Sequence, residues 1–323
     1  MKKILIILFA GLISLAGCTT NPADNTDEKL TVITSLFPQY DFVRNIAQDK
    51  VNVSLLLPPG VESHAFDPTP SQIISITQAD LFVYTNAEME PWIERIVENV
   101  DEQGPVVLES SQGIQLIDSD DEHHLDDDHD HDDHDDDDHD DDDHDHLYDP
   151  HVWLDPLNAK IMVNNIVAAL KELDPENADF YQNNANDYLS QLDELNERFD
   201  EIFANTENNT IVYGGHFAFG YLANRFNLNI LSPYKGFSPD SEPTANAIAS
   251  LISTVNENNI KVIFFEELIE PRVANVIAEQ TNTTAMLLHG AHNITKQEMD
   301  ANITYLDIMF ENADKIEEAL SYE

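Results

Sequence analysis

Two sets of four strand-like runs, rich in β-branched and aromatic residues, alternate with segments of helical periodicity along the chain. The first set covers 31–36, 51–57, 81–85 and 106–108, and the second covers 210–213, 228–231, 262–265 and 285–288. Strands that alternate with helices form parallel βαβ units. At 323 residues the chain is also longer than one hydrophobic core usually supports. We therefore predict an α/β fold with two similar lobes, each built on a parallel sheet.

The stretch 158–205 between the two sets lacks strand signals. Pro175 interrupts its helical pattern, which predicts one helix ending near Leu173 and a second over about 176–204. Apolar residues of the second helix recur at steps of three and four, and at about 1.5 Å per residue it would extend roughly 40 Å. We expect a first lobe at 30–173, a connecting helix at 174–206 and a second lobe at 207–323. The alternative is a helix on the surface of one domain.

The N-terminus has the features of a secretory signal. Lys2 and Lys3 precede an apolar run that ends in Leu15-Ala16-Gly17-Cys18, and this run is shorter than the roughly 20 residues that span a bilayer. The ending resembles a bacterial lipobox, which implies a lipid on the Cys18 sulfur and cleavage just before it. We expect 1–17 to be removed and 18–29 to form a flexible tether. The alternative is an ordinary signal peptide with a chance cysteine.

A tract of almost only Asp and His lies at 118–147 and cannot form a core, so we expect it to be disordered. Imidazole binds zinc, copper and nickel, and carboxylates raise the local cation concentration. We therefore expect weak capture of divalent metal at many sites; a solvated acidic loop is the alternative. The histidines of the tract are His123, His124, His129, His131, His134, His139, His144 and His146.

The charge balance and the single cysteine exclude other classes of protein. The 62 acidic residues outnumber the 15 basic ones, and such a surface repels nucleic acid. One cysteine permits neither a disulfide within the chain nor a thiolate-rich metal cluster.

The remaining histidines follow predicted strands or precede helices, where α/β sheets bind ligands. They are His64, His151, His216, His289 and His292. For any one of them a structural role is the alternative. Two from each lobe would form a tetrahedral site, and a thiolate-free imidazole set suits Zn²⁺ at about 2.0–2.1 Å. Four protein ligands indicate a carried metal, since a catalytic zinc keeps one position for water.

The sequences around these histidines resemble the metal-binding lipoproteins of bacterial ABC importers for zinc and manganese, in the zinc-uptake branch. The motifs are Ser63-His64-Ala65-Phe66-Asp67-Pro68-Thr69-Pro70, Asp149-Pro150-His151-Val152-Trp153-Leu154-Asp155-Pro156 and Gly215-His216-Phe217-Ala218-Phe219. The resemblance covers the chain from Cys18 onward. It implies two α/β lobes joined by one long helix, with metal in the cleft between them.

The resemblance also implies a ligand set. Its three histidine positions correspond to His64, His151 and His216, and its fourth position is a carboxylate or another group in the loop after a late strand. Here we assign His292, with His289 as a rival and Glu62 as a possible outer ligand. Imidazole in place of a carboxylate weakens the case for manganese. Glu266 and Glu267 are candidates for orienting a ligating imidazole; no catalytic residue is expected.

We expect a protein without enzymatic activity that captures Zn²⁺ outside the cytoplasm and delivers it to an ABC permease and its ATPase. We expect a monomer, anchored to the bacterial cell membrane through Cys18, with no nucleic-acid partner. The alternatives are a manganese-binding homologue, a surface adhesin and a zinc hydrolase. The sequence contains neither a His-Glu-x-x-His helix nor a nucleophile elbow for the hydrolase.

Overall fold

The computed structural model describes residues 29–97, 104–118, 148–206, 208–234 and 243–321. The expected signal segment 1–17, Cys18, most of the tether and almost all of the Asp/His tract lie outside these residues. Within them, no helix has both the length and the apolar character needed to cross a bilayer. The described chain is an α/β protein with parallel sheets and one long helix, as predicted.

The first sheet is formed by four parallel strands in the order β2-β1-β3-β4. The strands are β1 Leu30–Thr34, β2 Val51–Leu55, β3 Leu81–Tyr84 and β4 Val106–Glu109, and the helices are α1 Phe37–Ala47, α2 Pro70–Thr77 and α3 Ile93–Val97. Helix α2 begins where the sequence provides a capping box, because Thr69 accepts the N–H of Gln72 and the Gln72 side chain accepts the N–H of Thr69.

Two helices connect the halves of the chain. Helix α4 covers Pro156–Leu173, with Asp155 accepting the N–H of Leu157 at its start. A 3₁₀ turn at Pro175–Asn177 then leads into α5 at Ala178–Asn205, two residues later than predicted because this turn precedes the α-helix.

The second half repeats the strand order of the first. Its strands are β5 Thr210–Val212, β6 Asn229–Leu231, β7 Val262–Phe265 and β8 Thr284–Leu287, and its helices are α6 Gly220–Phe226, α7 Ala245–Glu257, α8 Arg272–Thr281, α9 Lys296–Asp300 and α10 Tyr305–Leu320. Parallel pairs β5-β6 and β7-β8 are joined by a bridge between Tyr213 and Phe264. The resulting order, β6-β5-β7-β8, matches that of the first sheet.

One apolar core runs through both halves, from Val32 of β1 to Leu320 of α10. Helix α5 packs against α4, α1 and α10, and so contacts elements from both ends of the chain. Its Asn184 side chain donates to Ile46 O of α1, while Arg198 pairs with acidic residues of α10. Two smaller clusters cover the outer faces of the sheets, beneath α2 and α3 and beneath α7 and α8. The lobe boundaries at 173 and 207 stay a prediction.

Candidate metal centre

Loops from both halves of the chain carry four histidines to one place. His64 lies between β2 and α2, and His151 directly precedes a 3₁₀ turn at Val152–Leu154. His216 follows β5, and His292 follows β8. These positions lie outside the carboxyl ends of parallel strands, where open α/β sheets bind their ligands.

The four imidazoles are close enough to share one cation. One ring nitrogen from each of His64, His151, His216 and His292 lies within 4.8 Å of the others. Five pairs of ring centroids are separated by 5.0–5.6 Å, and Nε2 of His151 is 3.2 Å from Nε2 of His64. Three of the rings are buried and His64 is half-buried. A zinc ion bound at about 2.0–2.1 Å to four nitrogens requires this kind of cluster.

Asp149 orients the first buried ligand. Its Oδ1 accepts the backbone N–H of His151 at 2.9 Å and lies 2.7 Å from Nδ1 of the same ring. The backbone contact is a local turn of the kind that Asp forms two residues before its partner. With Nδ1 turned to a carboxylate, Nε2 of His151 carries its lone pair toward the cluster. This role of Asp149 was not predicted from the sequence, although the Asp-Pro-His spacing permits the contact.

Two consecutive acids at the end of β7 hold the second-half ligands. Glu266 accepts the N–H of His216 at 3.0 Å, and its other oxygen lies 3.7 Å from Nδ1 of that ring. Glu267 lies 2.9 Å from Nδ1 of His292 and also accepts the N–H of Gly290 at 2.7 Å. The residues predicted to orient imidazoles are thus in contact with the ligand candidates.

The His292 ring is fixed from several sides. A Cβ atom at Gly290 would lie 2.3 Å from its Cε1, so only glycine leaves room for the ring here. Trp153 donates its indole N–H to Gly290 O at 2.8 Å, which ties this loop to the turn that follows His151. Within the described part of the chain, Nε2 of His292 is buried and has no hydrogen-bond partner. A buried nitrogen in this state is stabilised by a bound cation.

Burial and neighbouring charges shift the pKa values of three of the four candidate ligands, and not all in the same direction. Burial, together with the rings of His292 and His216, lowers the pKa of His64 to about 2. Burial also lowers the pKa of His151 well below its ordinary value. At His292 burial acts in the same direction, but the Glu267 carboxylate outweighs it and raises the pKa. His64 and His151 are therefore neutral at neutral pH, ready to bind metal, while the His292 ring keeps a proton to higher pH than a free imidazole does.

Glu267 is ionised in this site. Burial alone would raise the pKa of its carboxyl group, but His289 and His292 reverse the effect and lower the pKa to about 2. The buried side chain therefore supplies one negative charge against a bound divalent cation.

The structure places His289 and Glu62 beside the cluster and outside the group of four. The Nδ1 atom of His289 accepts the N–H of Ala291 at 2.9 Å, and its Nε2 is 3.7 Å from Glu298. The Glu62 carboxylate accepts the N–H groups of His64 and Ala65, at 2.8 and 2.9 Å. Cys18 and the eight tract histidines lie outside the described residues.

Fold and site together define a metal-binding α/β protein whose candidate ligands come from both halves of the chain. A family model described as Zinc-uptake complex component A periplasmic matches residues 32–319. The chain belongs to this family, ZnuA. It is 35% identical over 320 residues to the High-affinity zinc uptake system protein ZnuA of Bacillus subtilis (strain 168), covering 98% of this chain and 97% of that protein. It is 29% identical to the Zinc-binding lipoprotein AdcA of Streptococcus pneumoniae serotype 4, of whose length the match covers 62%.

Solved structures share the fold. The metal-dependent lipoprotein YcdH from Bacillus subtilis superimposes with a TM-score of 0.75 at 33% identity, over 91% of this chain and 100% of that one. The Zn(II)-bound ZnuA-like domain of Streptococcus pneumoniae AdcA gives the same TM-score at 26% identity, with coverages of 91% and 100%. The laminin binding protein Lmb of Streptococcus agalactiae, described as having adhesin and metal transporting activity, gives 0.74 at 28% identity, with 90% and 100% covered.

Proposed function

We propose that this protein captures Zn²⁺ outside the cytoplasm and delivers it to an ABC importer in the membrane. The observation that carries the proposal is the convergence of His64, His151, His216 and His292, with one nitrogen of each within 4.8 Å of the others. Family membership and the names of the relatives, which include a zinc uptake protein and a zinc-binding lipoprotein, support the same cargo.

Zinc is favoured over manganese by the chemistry of the donors. Manganese prefers hard carboxylate oxygen, whereas imidazole nitrogen suits zinc. The nearby acids Asp149 and Glu267 are turned to the Nδ1 atoms of two imidazoles, so they act on the ligands and leave nitrogen to face the cation. Copper and nickel also accept imidazole, so binding competition among these ions is the measurement of selectivity.

A carrier, and not a zinc hydrolase, follows from the ligand number. Four protein nitrogens complete the tetrahedral shell of Zn²⁺ and leave no position for the water that a hydrolase activates. We propose a protein without bond chemistry. The test is the coordination of the loaded metal by X-ray absorption: four nitrogens support the carrier, and three nitrogens with one exchangeable oxygen contradict it.

We further propose that the mature chain begins at Cys18, carries a lipid there and acts as a monomer that docks on a permease and its ATPase. The residues 18–29 would form the tether, 30–173 and 207–323 the two lobes, and 174–206 the connecting helix. The lipoprotein name of the streptococcal relative supports the anchor. Mass spectrometry of the membrane-extracted protein tests it, and a Cys18→Ser variant that stays equally membrane-bound would contradict it.

Calorimetry of zinc binding tests the ligand set directly. His151→Ala removes one of the four candidate ligands, so we expect zinc affinity to fall by orders of magnitude. His289→Asn is the matched control, since it changes a neighbouring buried histidine outside the cluster and its Oδ1 replaces the Nδ1 that accepts the N–H of Ala291. Unchanged affinity in the first variant, or an equal loss in the second, would contradict the assignment.

Growth separates a zinc carrier from an adhesin. Cells that lack the protein should grow slowly in zinc-poor medium and recover when zinc is added. An adhesin without a transport role would show no such recovery.

A further inference from the structure

The four candidate ligands are not held in the same way. His151, His216 and His292 each have a carboxylate near Nδ1. Among the described residues, His64 is the ligand whose ring forms no ion pair with a carboxylate, and it is also the least buried of the four. An imidazole without such a partner needs another device to fix its orientation.

The loop that carries His64 is tied to the opposite half of the molecule by one side chain. Asn293 donates from Nδ2 to Pro58 O at 2.7 Å and to Val61 O at 2.9 Å. The neighbouring backbone adds a third contact, from Gly60 N to Ile294 O at 2.8 Å. Asn293 itself is fully buried, and its Oδ1 accepts the N–H of Ile294 at 2.9 Å. Both ends of this amide are therefore fixed.

A short series of contacts connects Asn293 to His64. Val61, whose carbonyl Asn293 binds, is followed by Glu62, and the Glu62 carboxylate accepts the N–H groups of His64 and Ala65. The segment from Pro58 to Ala65 is thus held at one end by a side chain of the second half and at the other by its own turn. His292, which directly precedes Asn293, contributes a ligand from the same loop.

We propose that Asn293 is a positioning residue that fixes His64 across the cleft, in place of the carboxylate that the other three ligands have. The loop 288–294 then contributes two groups to the site: the His292 ring as a ligand and the Asn293 amide as a support for the His64 loop. This inference rests on the proposed function, because it assumes that the cluster binds zinc.

Removing the amide has a specific consequence. In Asn293→Ala two carbonyl groups lose their donor, the Pro58–Ala65 segment keeps only the Gly60–Ile294 backbone contact to this loop, and the His64 ring is held less firmly in position. The other three imidazoles keep their carboxylate partners. Loss of an outer contact of this kind lowers metal affinity by roughly 10- to 100-fold, and we expect a zinc affinity reduced by that factor.

A double-mutant cycle distinguishes positioning from general damage. If Asn293 acts through His64, Asn293→Ala should lower zinc affinity in the wild-type background and should have almost no effect in a His64→Ala background. Asn312→Ala is the control: Asn312 is equally buried and contacts the backbone of His289, not the His64 loop. Asn312→Ala should lower zinc affinity by the same factor in the wild-type and the His64→Ala backgrounds.

The measurement is competition against a chelator of known zinc affinity, with the melting temperature of each zinc-free variant recorded beside it. Asn293→Ser, which retains a hydroxyl donor, replaces Asn293→Ala if the latter does not fold, and its expected loss is smaller with the same dependence on His64. Equal losses with and without the His64 ring would overturn the positioning role while leaving zinc binding intact. Failure of the wild-type protein to bind zinc would instead overturn the proposed function, and this inference with it.

Discussion

Replacing Glu267 by glutamine removes one buried charge from the site and keeps the shape of the side chain. Glu267 contacts His292 Nδ1 at 2.9 Å and the N–H of Gly290 at 2.7 Å. Glutamine has a single acceptor oxygen for these two donors. A hydrogen bond to a charged group contributes about 1.5–3 kcal/mol, and about 1.4 kcal/mol corresponds to tenfold in affinity. We expect Glu267→Gln to weaken zinc binding at neutral pH by roughly 10- to 100-fold.

The same substitution changes the proton balance of binding. In the wild-type protein Glu267 raises the pKa of His292 above its ordinary 6.5, so a proton on this ring competes with zinc at higher pH than it would on a free imidazole. The other two shifted ligands release none, since the pKa values of His64 and His151 are lowered and these rings are already neutral. Without Glu267, the lowering of the His292 pKa by burial is opposed only by the more weakly acting Glu266 and Glu62. Fewer protons should therefore be released on zinc binding by Glu267→Gln than by the wild-type protein.

The pH dependence of zinc affinity should therefore differ between the two proteins. As pH falls below the raised pKa of His292, wild-type affinity should decrease by up to about tenfold per pH unit, because one proton competes with the metal. Glu267→Gln should show less of this competition, so the difference in zinc affinity between the two proteins narrows toward acidic pH.

Calorimetry in two buffers of different ionisation enthalpy measures both the zinc affinity and the number of protons released on binding. Glu270→Gln, an exposed acid of the same turn, is the control and should change neither. A Glu267→Gln protein with wild-type affinity and wild-type proton release would refute the reasoning.

Two further predictions concern the loop and the tract. Gly290→Ala places a methyl group about where the His292 ring lies, with 2.3 Å to Cε1, and should lower zinc affinity at least tenfold without abolishing folding; a crystal structure with the ring unmoved would contradict this. Deleting 120–146 should leave the single tight site intact and remove only weaker ions, so titration should give one high-affinity zinc per chain before and after. Loss of the tight site in this deletion would place a ligand in the tract.

The convergence of the four histidines could be predicted from the sequence because most of their positions follow from strand order. His64, His216 and His292 each come shortly after a strand, and parallel strands bring their carboxyl ends to one edge. The choice of His292 over His289 rested on its spacing in the loop. The structure brings only His292 of the two into the cluster; the His289 ring lies beside it, with Nδ1 accepting the N–H of Ala291 and Nε2 3.7 Å from Glu298.

The supporting contacts were less accessible. The Asn293 amide reaches carbonyl groups more than 230 residues earlier in the chain, and Trp153 reaches Gly290 across the site. Hydrophobic periodicity predicts which face of an element is buried but not which distant atom it meets. For the same reason the packing of α10 against α5 and α1 was not predicted from the sequence.

The uninterrupted apolar core also bears on how the cargo leaves. A large separation of the two halves would expose to water the layer formed by α1, α4, α5 and α10. Uncovering on the order of 400 Å² of apolar surface costs about 10 kcal/mol at about 25 cal/mol per Å², which equals the whole stability of many folded domains. Displacing the loops at the rim is far less costly. We therefore expect zinc to be released by local displacement of the loops around the histidine cluster, with the helix layer between the two halves kept intact.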